Sequence, residues 1–472
     1  MPDLDAVVVG SGPNGLAAAI TLARAGRSVL VVEAADTVGG GVRSAELTLP
    51  GFVHDVCSAI HPLAKASPCF RALPLAEHGL ELVDPPAPMA HPLDDGSAVM
   101  LERSVHETAA GLGPDAEAYD AVMGVFVDLG DKLLPFVLGR SPLTRRPLVA
   151  ARFGVHAIRS AVGFAKRFQG ERARALVAGL AAHSIQDLHR PPTASFGIVL
   201  GLLGHMYGWP LVRGGSQRLA DAVAAYLRSL GGRIELGRHV ASVDDLPKSR
   251  VTMLDLTPRQ VLHIAGHRLP GRYVRALRRY RYGPGVFKVD WALDRPVPWK
   301  ADGCARAATI HVGGTLEEIA ASEAAVWRGE APERPFVLVA QQSLFDESRA
   351  PNGKHTLWAY CHVPNGSRAD MTERIEAQIE RFAPGFRELI LERSVRGPAE
   401  IERENENYLG GDINGGVQDL RQLYTRPAIR LNPYSTPVSG LYLCSSSTPP
   451  GGGVHGLCGY YAARSALRRE IA

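Results

Sequence analysis

The sequence predicts an α/β protein with a Rossmann-type dinucleotide-binding domain and a second, discontinuous α+β domain. Three observations support this prediction. Residues 4–36 read as strand, glycine-rich loop, helix and strand; residues 440–470 read as strand, glycine-rich loop and helix; and the residues between them contain long helical segments and separate strand-like runs. Helices that follow buried strands in this order are typical of a parallel sheet with crossover connections.

Each element of the N-terminal unit has its own sequence signal. The apolar run Ala6–Val9 predicts a strand that is buried on both faces. Asn14–Ala25 is alanine-rich and is followed by Gly26, which predicts a helix and its end. Ser28–Val32 is rich in β-branched residues and predicts a second strand. The order is that of a nucleotide-binding βαβ unit.

The glycines between the first strand and the helix predict what this unit binds. Gly10, Gly12 and Gly15 form a G-x-G-x-x-G pattern, and Glu33 closes the second strand. In a dinucleotide site the first glycine makes the tight turn and the second lets a pyrophosphate approach the backbone. The third packs the helix against the strand, and the acidic residue accepts hydrogen bonds from a ribose. We therefore predict a dinucleotide site whose further members are Pro13, Asn14 and Ala34.

The G-x-G-x-x-G pattern occurs a second time, at Gly451–Gly456. Too few residues follow it for a helix, a second strand and an acidic residue, so it is not a second βαβ unit. Glycines let a ligand approach the main chain, and the helix predicted after them would turn its N-terminus toward that ligand. We therefore interpret this loop as part of the same ligand site.

A third glycine motif follows soon after Glu33. Residues 39–44, Gly-Gly-Gly-Val-Arg-Ser, resemble the G-G-R-x-x-[ST] fingerprint of FAD enzymes of the amine oxidase and phytoene desaturase superfamily, with one extra residue before the arginine. The resemblance implies that the dinucleotide is FAD. It also implies that the flavin side of the cofactor is lined by Gly40, Gly41, Val42 and Arg43.

The resemblance extends over most of the chain. Trp209–Val243 looks like the segment in which these flavoproteins return to the FAD domain, and by that match Val240 meets the adenine from a strand. Ser447–Gly459, "STPPGGGVHGLCG", is similar to the C-terminal signature of the phytoene desaturase-like branch, which includes carotenoid desaturases and retinol saturases. This likeness implies a glutathione reductase-like fold, noncovalent FAD, and further cofactor contacts from Ser446, Gly453 and Val454.

Some features depart from the family pattern. Ser445 stands where carotenoid desaturases usually have glycine, and "DDLPKSRVTMLDLTP" leaves only a tight connection where relatives insert a strand-rich excursion. Cys444 and Cys458 lack the glycine-flanked context of a covalent flavin link. No second strand-linked G-x-G-x-x-G motif is present, so we expect O₂ or a quinone as electron acceptor rather than a nicotinamide.

The motif matches divide the chain into two discontinuous domains. Residues 1–84, 207–286 and 404–472 are assigned to the FAD-binding domain, and residues 85–206 and 287–403 to the substrate domain. Within the substrate domain the first segment is predicted to be helical and the second to form a sheet with a flanking helix. Basic and apolar residues are interleaved in the helical segment, which predicts either a peripheral membrane contact or a solvated helix face.

Four residues near the predicted flavin are candidates for proton transfer. His54, Asp55 and His61 follow the G-G-R motif, and His455 is the only large side chain among the glycines of the last loop. Histidine titrates near neutral pH, so it suits a catalytic acid or base. Purely structural histidines are the alternative.

The amino-acid composition limits which partners, metals and cellular locations are expected. With 46% hydrophobic residues, 21% charged residues and a net charge of +4, the 472-residue chain resembles a globular protein without a nucleic-acid partner. Its six cysteines form no C-x-x-C pair and no apolar run is long enough to span a bilayer, so we expect no metal and a cytoplasmic location, with membrane association as the alternative.

The first hypothesis for function is an FAD-dependent oxidoreductase that introduces or removes a C–C double bond in a small apolar substrate, such as an isoprenoid. Three alternatives remain open. A flavin amine oxidase would need an aromatic cage beside the flavin, and a redox-neutral flavin isomerase also fits the family. A non-catalytic prenyl or lipid carrier of the same fold would have no need of a pyrophosphate cradle.

Overall fold

The computed structural model describes residues 4–139 and 146–471. Its strands are β1 Leu4–Val9, β2 Val29–Val32, β3 Ser44–Glu46, β4 Val53–Asp55, β5 Leu82–Val83, β6 Ala87–Pro92, β7 Ala98–Leu101, β8 Leu211–Val212, β9 Arg233–Glu235, β10 Ser249–Leu254, β11 Gly285–Leu293, β12 Ala307–Val312, β13 Val337–Ala340, β14 His355–Val363, β15 Ile390–Arg396 and β16 Leu441–Leu443. Its helices are α1 Pro13–Ala23, α2 Pro62–Ala66, α3 Pro68–Arg71, α4 Val105–Ala110, α5 Ala116–Asp128, α6 Gly130–Val137, α7 Pro147–Ala157, α8 Ala161–Ala165, α9 Glu171–Ala182, α10 Thr193–Tyr207, α11 Gln217–Ser229, α12 Pro258–Ala265, α13 Gly271–Arg278, α14 Leu316–Arg328, α15 Thr372–Phe382, α16 Pro398–Glu404 and α17 Leu457–Arg469.

A five-stranded parallel sheet forms one half of the fold, with the strand order β16-β10-β1-β2-β9. Apart from Asp5, the residues of β1 and β2 are apolar and buried, because helices cover both faces of the sheet. Val8 and Val31 pack on the side of α1, α11 and α17, whereas Val7 and Leu30 pack on the side of α12 and α13. The predicted α/β class and the Rossmann-type sheet are confirmed.

The connection from β9 to β10 is as tight as its sequence predicts. Between the two strands, the chain makes one turn of 3-10 helix at Val243–Asp245 and no further strand. Val240 lies in this connection, five residues after the end of β9 at Glu235. The prediction that Val240 belongs to a strand is therefore wrong, because Gly237, with its φ of +65°, departs from the extended conformation soon after β9.

A seven-stranded sheet forms the other half, with the strand order β15-β11-β14-β13-β12-β6-β7. Its neighbouring strands are antiparallel except for β6 and β12. One face packs against Ile375, Ile379 and Phe382 of α15. The opposite face, with Trp358 and Tyr360, belongs to the same hydrophobic core as α9 and α10.

The helical segment is shorter than its prediction. Residues 87–101 belong to the segment that is predicted to be helical from residue 85, but they form the hairpin of β6 and β7 at the edge of the seven-stranded sheet. The hairpin turns at Asp95-Gly96, where Gly96 has a φ of +83°. The prediction of a helix at residues 87–101 is therefore wrong. An Asp-Gly pair between two apolar runs favours a β-hairpin over a helix.

The helices α4 to α10 follow this hairpin, from Val105 to Tyr207. They pack over the face of the seven-stranded sheet that carries Trp358 and close a compartment between the two sheets. Within residues 4–139 and 146–471, no helix is both long and apolar enough to cross a lipid bilayer.

Candidate functional site

A cavity of about 790 Å³ lies between the two sheets. The loops after β1 and β2 and the loop before α17 form one end, and side chains of α6, α7 and α10 form the other. The cofactor residues predicted from the sequence all line this cavity except Gly15, which lies behind its wall. Their contact with a cofactor stays a prediction.

The loop after β1 has the geometry that its glycines predict. Gly10 has a φ of +97°, a left-handed conformation that other residues rarely adopt. A Cβ on Gly15 would collide with the carbonyl oxygen of Gly10, so Gly15 allows α1 to begin directly against the strand. The N-terminus of α1 faces the cavity, where its partial positive charge fits an anionic group such as a pyrophosphate. The side-chain oxygen of Asn14 is buried without a hydrogen-bond partner in the described parts of the chain, and it fits a hydroxyl donor of the same ligand.

Glu33 lies at the end of β2, beside the glycine loop. One of its oxygens accepts hydrogen bonds from the Ser11 N–H at 2.7 Å and the Ser11 hydroxyl at 2.6 Å, and the other accepts from the Ala35 N–H at 2.9 Å. Its side chain is half-buried and lines the cavity, as does Val240. This end of the cavity therefore offers a carboxylate and an apolar wall, which fit a ribose and an adenine.

Asp255 is a cavity residue that the sequence analysis did not identify. It follows β10, and its Oδ2 accepts a 2.8 Å hydrogen bond from the Gly15 N–H. Burial raises the pKa of Asp255 to about 7, with a further rise from Glu33, although the hydrogen bond from Gly15 lowers it. The sequence does contain a signal for Asp255, because it is an acidic residue at the end of a third apolar strand. The carboxyl ends of parallel strands meet at one edge of the sheet, where the ligand binds.

The G-G-V-R motif forms a turn of 3-10 helix at Gly40–Val42. Arg43 donates from Nε to the carbonyl oxygen of Gly40 at 3.0 Å and from a terminal nitrogen to that of Glu404 at 2.8 Å. The backbone of Gly41 lies against the hydroxyl of Tyr408, which also lines the cavity. The arginine therefore holds the motif in place through backbone contacts rather than extending freely into the cavity.

The last glycine loop lines the cavity beside α1. Gly453, with a φ of +120°, and Val454 belong to this wall. A Cβ on Gly459 would collide with the backbone oxygen of Asn14, so α17 packs tightly against the first turn of α1. The first turns of two helices therefore meet at one side of the cavity.

His455 lies in this loop and is 1% exposed. Its Nδ1 accepts a 3.0 Å hydrogen bond from the Leu457 N–H, which caps the first turn of α17. Burial lowers the pKa of His455 to about 4, although the backbone of Gly451 and Gly452 favours the protonated ring. The imidazole is therefore neutral at pH 7, and its ring is held by the backbone of its own loop.

His61 is the second candidate histidine in the cavity wall. Its Nε2 lies 2.8 Å from the Ser216 hydroxyl, and its Nδ1 is buried with no partner among residues 4–139 and 146–471. Burial lowers the pKa of His61 to about 4, against a smaller raising effect of Asp55. A free ring nitrogen at the wall suits a hydrogen bond to a ligand.

His54 and Asp55 do not line the cavity but belong to a buried ionic network. Asp55 accepts from Arg349 at 3.1 Å, from the Ser216 N–H at 2.7 Å and from the Ser44 hydroxyl at 2.7 Å. His54 Nδ1 lies 3.6 Å from Asp290, and burial lowers the pKa of His54 to about 4. The structure thus separates these two candidates from His61 and His455, and a catalytic role for all four stays a prediction.

The seven-stranded sheet contributes polar residues that the sequence analysis missed. Lys288 on β11 forms an ion pair with Asp290 and lies 5.6 Å from the ring centre of Trp358. Burial lowers the pKa of Lys288 to about 8, with an opposing effect of Asp290. Charged residues at alternate positions of the apolar run "VFKVDWAL" were a signal for a buried polar face on this strand.

Comparison with known proteins shows which proteins the chain resembles. Residues 8–73 match the family described as the NAD(P)-binding Rossmann-like domain. The chain is 28% identical to mouse (Mus musculus) pyridine nucleotide-disulfide oxidoreductase domain-containing protein 2, over 99% of this chain and 94% of that protein. It is 27% identical to the neurosporene-forming phytoene desaturase of Rhodobacter capsulatus, over 96% and 92% of the two chains. It is 25% identical to a limonene dehydrogenase chain of Castellaniella defragrans, over 98% and 94%.

Solved structures share the fold. An oxidoreductase from Methanosarcina mazei superimposes with a TM-score of 0.67 at 16% identity, over 99% of this chain and 100% of that chain. Putrescine oxidase superimposes with a TM-score of 0.61 at 19% identity, over 99% of each chain. These similarities confirm the predicted oxidoreductase class and the predicted likeness to the phytoene desaturase-like branch.

Proposed function

We propose that this oxidoreductase of the phytoene desaturase-like branch binds FAD noncovalently and uses it to introduce or remove a C–C double bond in an apolar substrate. One observation supports the proposal above all: a single cavity runs from the glycine loop of α1 to an apolar compartment between the sheets. The compartment is lined by aromatic and aliphatic side chains, namely Phe136, Phe153, Phe196, Val199, Leu200 and Leu338. A dinucleotide in the first part would therefore reach an apolar molecule in the second.

Residues at the glycine-loop end of the cavity would hold the cofactor. The α1 N-terminus and the Gly12 backbone would bind the pyrophosphate, and Glu33 would bind the ribose. When bound, FAD supplies the chemistry of accepting and returning a hydride or electrons. The chain's own part is to orient the substrate, to exclude water with its aromatic residues, and to keep His61 and His455 neutral.

Noncovalent binding agrees with the state of the cysteines. Cys444 and Cys458 are fully buried and do not line the cavity. Burial raises the pKa of Cys458 to about 12, and its thiol lies 3.3 Å from the carbonyl oxygen of Thr448. Both thiols therefore stay protonated and out of reach of a ligand.

The domain division, the electron acceptor and the cellular location are part of the same proposal. The strands of the five-stranded sheet fall within residues 1–84, 207–286 and 404–472, which supports their assignment to the cofactor domain. An acceptor other than a nicotinamide, either O₂ or a quinone, would reoxidise the cofactor. We propose that the protein is cytoplasmic. The alternative to test is that it also makes a peripheral contact with a membrane.

Helix α7 supports that membrane contact. Leu148 and Val155 lie on its outer face with 85% and 59% of their surface exposed, beside Arg152. Phe153, on the opposite face, lines the cavity. Exposed apolar side chains next to a basic residue suit an anionic lipid surface. Arg172 does not contribute to a membrane-binding surface, because its guanidinium donates 2.7 Å hydrogen bonds to Gly111 and to the β6-β7 hairpin.

The proposal is tested by the absorption spectrum of the purified protein and by chromatography of the cofactor released on heating. We expect a flavin spectrum and FAD. Loss of the flavin absorbance under nitrogen, on addition of an apolar alkene or enone, would then identify the substrate class. Protein that contains no flavin, even after incubation with FAD, would contradict the proposal and favour the carrier alternative.

One observation favours a second candidate, a flavin amine oxidase. The aromatic residues that such an enzyme needs are absent from the last motif, but Trp358 and Tyr360 of β14 line the cavity with ring centres 5.0 Å apart at 85°. Anaerobic titration with primary amines distinguishes this candidate. Reduction by amines but by no alkene or enone would replace the first proposal.

A further inference from the structure

A loop with exposed apolar side chains borders the cavity. Residues 420–431 form an irregular loop before β16, in which Ile429 is 87% exposed and Leu431 is fully exposed. Leu420 and Tyr424 of the same loop are also exposed. Tyr424 and Leu431 line the cavity as well, so the exposed side chains lie at its rim. Apolar side chains grouped in this way mark a site of interaction.

The loop packs along helix α13. After the end of the helix, the Val417 N–H donates to the carbonyl oxygen of Arg281 at 3.1 Å, and the Arg281 guanidinium forms an ion pair with Asp419 at 2.7 Å. Near the start of the helix, the guanidinium of Arg430 lies 5.7 Å from the ring centre of Tyr273. The loop therefore runs beside α13 from one end to the other.

The loop and α13 together form a positive surface. Residues 271–279 and 420–431 contain no acidic residue. Four arginines of the first segment are exposed and form no ion pair within residues 4–139 and 146–471, and two more are exposed on the loop. They are Arg272, Arg275, Arg278, Arg279, Arg421 and Arg430. Cations without acidic partners are complementary to an anionic surface.

The loop also lies close to the apolar compartment of the cavity. Tyr461 of α17 connects the two, because its hydroxyl donates to the carbonyl oxygen of Leu138 at 3.1 Å and its ring centre lies 6.3 Å from that of Tyr434. Leu138, at the end of α6, and Pro433 both line the cavity. This part of the cavity rim therefore joins the apolar compartment to the exposed loop.

We propose that residues 420–431 and α13 bind an anionic lipid bilayer, with Ile429 and Leu431 inserted among the acyl chains and the arginines against the headgroup phosphates. Apolar side chains flanked by cations suit such an interface, whereas a nucleic acid offers no apolar interior to them. The inference rests on the proposed function for the purpose of the contact. An apolar substrate or a quinone dissolves in the bilayer and would enter the cavity at its rim.

Sedimentation of lipid vesicles with the purified full-length protein tests the proposal. Vesicles of phosphatidylcholine alone are compared with vesicles of phosphatidylcholine and phosphatidylglycerol in equal parts. We expect roughly tenfold tighter binding to the anionic vesicles, because several arginines would meet anionic headgroups. This preference should weaken as the salt concentration rises, since salt screens exposed charges.

Apolar substitutions test the inserted side chains. The double variant Ile429→Ser and Leu431→Ser should bind the anionic vesicles roughly tenfold more weakly or worse, because two inserted side chains are lost. Leu236→Ser with Leu391→Ser is the matched control, since both leucines are exposed but lie on other elements. The control should bind as the wild type does.

Charge substitutions test the arginines. Arg272→Gln with Arg275→Gln should lower the preference for anionic over neutral vesicles roughly tenfold. Arg228→Gln with Arg368→Gln is the matched control, because these exposed arginines also form no ion pair within the described residues. All substituted residues are exposed, so the variants should fold, and thermal unfolding verifies this.

The outcomes separate this inference from the proposed function. Flavin content is measured on the same preparations, so flavin-free protein that binds anionic vesicles through the loop would contradict only the proposed function. Loss of binding in Leu148→Ser with Val155→Ser on α7, but not in the loop variant, would overturn the inference and assign the contact to α7. Absence of vesicle binding, equal binding to both kinds of vesicle, or unchanged binding in the loop variant would also overturn it.

Discussion

The Asp255 carboxylate accepts a 2.8 Å hydrogen bond from the backbone N–H of Gly15, in the first turn of α1. The same oxygen lies 2.8 Å from the point where a Cβ on Gly12 would stand. A buried acidic group thus lies directly against the loop that is proposed to bind a pyrophosphate. Two negative groups in one cradle repel each other, so the protonation state of Asp255 matters for both stability and cofactor binding.

We expect Asp255→Asn to gain stability relative to the wild type as the pH rises. The folded-state pKa of about 7 lies above the usual value of 3.8, so the native protein retains a proton that the unfolded chain loses. Wild-type stability therefore falls between about pH 4 and pH 7, by about 4 kcal/mol at most, and the variant lacks this loss. Urea unfolding from pH 4 to pH 8 measures the difference. If the difference in unfolding free energy between wild type and variant does not change with pH, Asp255 does not retain a proton in the folded protein.

Gly12→Val should yield a folded protein without FAD. The added side chain would enter the space beside Asp255 and the proposed pyrophosphate, at a cost of about 1–3 kcal/mol for overpacking. Flavin content and thermal unfolding of the purified variant measure the two effects. Gly154→Val on α7 is the matched control, because a Cβ there meets no atom within 4 Å. Normal FAD content in Gly12→Val would refute the assignment of the pyrophosphate to this loop.

Substitutions of His455 separate its capping contact from a role in turnover. His455→Ala should lose about 1 kcal/mol, because the Leu457 N–H loses its acceptor, and should slow anaerobic flavin reduction. His455→Asn provides an acceptor for the cap and should recover stability. If His455 acts on the substrate, the reduction rate stays low in His455→Asn. A rate that recovers together with stability would make the residue purely structural.

Arg349→Met should destabilise the protein by about 3–5 kcal/mol, because it leaves Asp55 buried without its ion pair. The guanidinium also donates to Asp346 at 3.0 Å and to the carbonyl oxygen of Val212 at 3.1 Å. Denaturant unfolding measures the loss, and the double variant with Asp55→Asn should regain part of it. A loss below about 1 kcal/mol would contradict this expectation.

The pH dependence of that loss has a definite sign. Burial opposes the charged form of Asp55, but Arg349 and the Ser216 N–H bring its pKa below the usual value. The contribution of Asp55 to stability is therefore present above its unfolded-state pKa and is lost as the pH falls through its folded-state pKa. Wild type and Arg349→Met should converge in stability toward acid pH.

The cofactor half of the molecule was largely predictable because its signals are local. Gly10, Gly15 and Glu33 lie within one βαβ unit, where residue spacing alone determines their relative positions. The substrate half was less predictable. His183 and His311 lie on a helix end and a strand, and only the packing of α9 over the sheet brings their rings to 2.9 Å. The β6-β7 hairpin differs from this contact, since its Asp-Gly turn is a local signal that the sequence itself contains.

Asp255 illustrates the same limit at the cofactor end. It is distant in sequence from Gly15, and its contact depends on the parallel pairing of β10 with β1. The position at a strand end could have been anticipated, but the hydrogen bond could not. Burial, which determines the pKa of this group, is a property of the assembled fold.

The contact between Gly459 and the backbone of Asn14 has a consequence for the biosynthesis of the protein. One wall of the cavity needs α1, which leaves the ribosome early, and α17, which leaves it after almost all of the described chain. Contacts between such distant segments form late in folding, because the intervening loop must first be closed. This wall of the cavity therefore stays incomplete until α17 has been synthesised, and a ligand that needs both helices can bind only after that point.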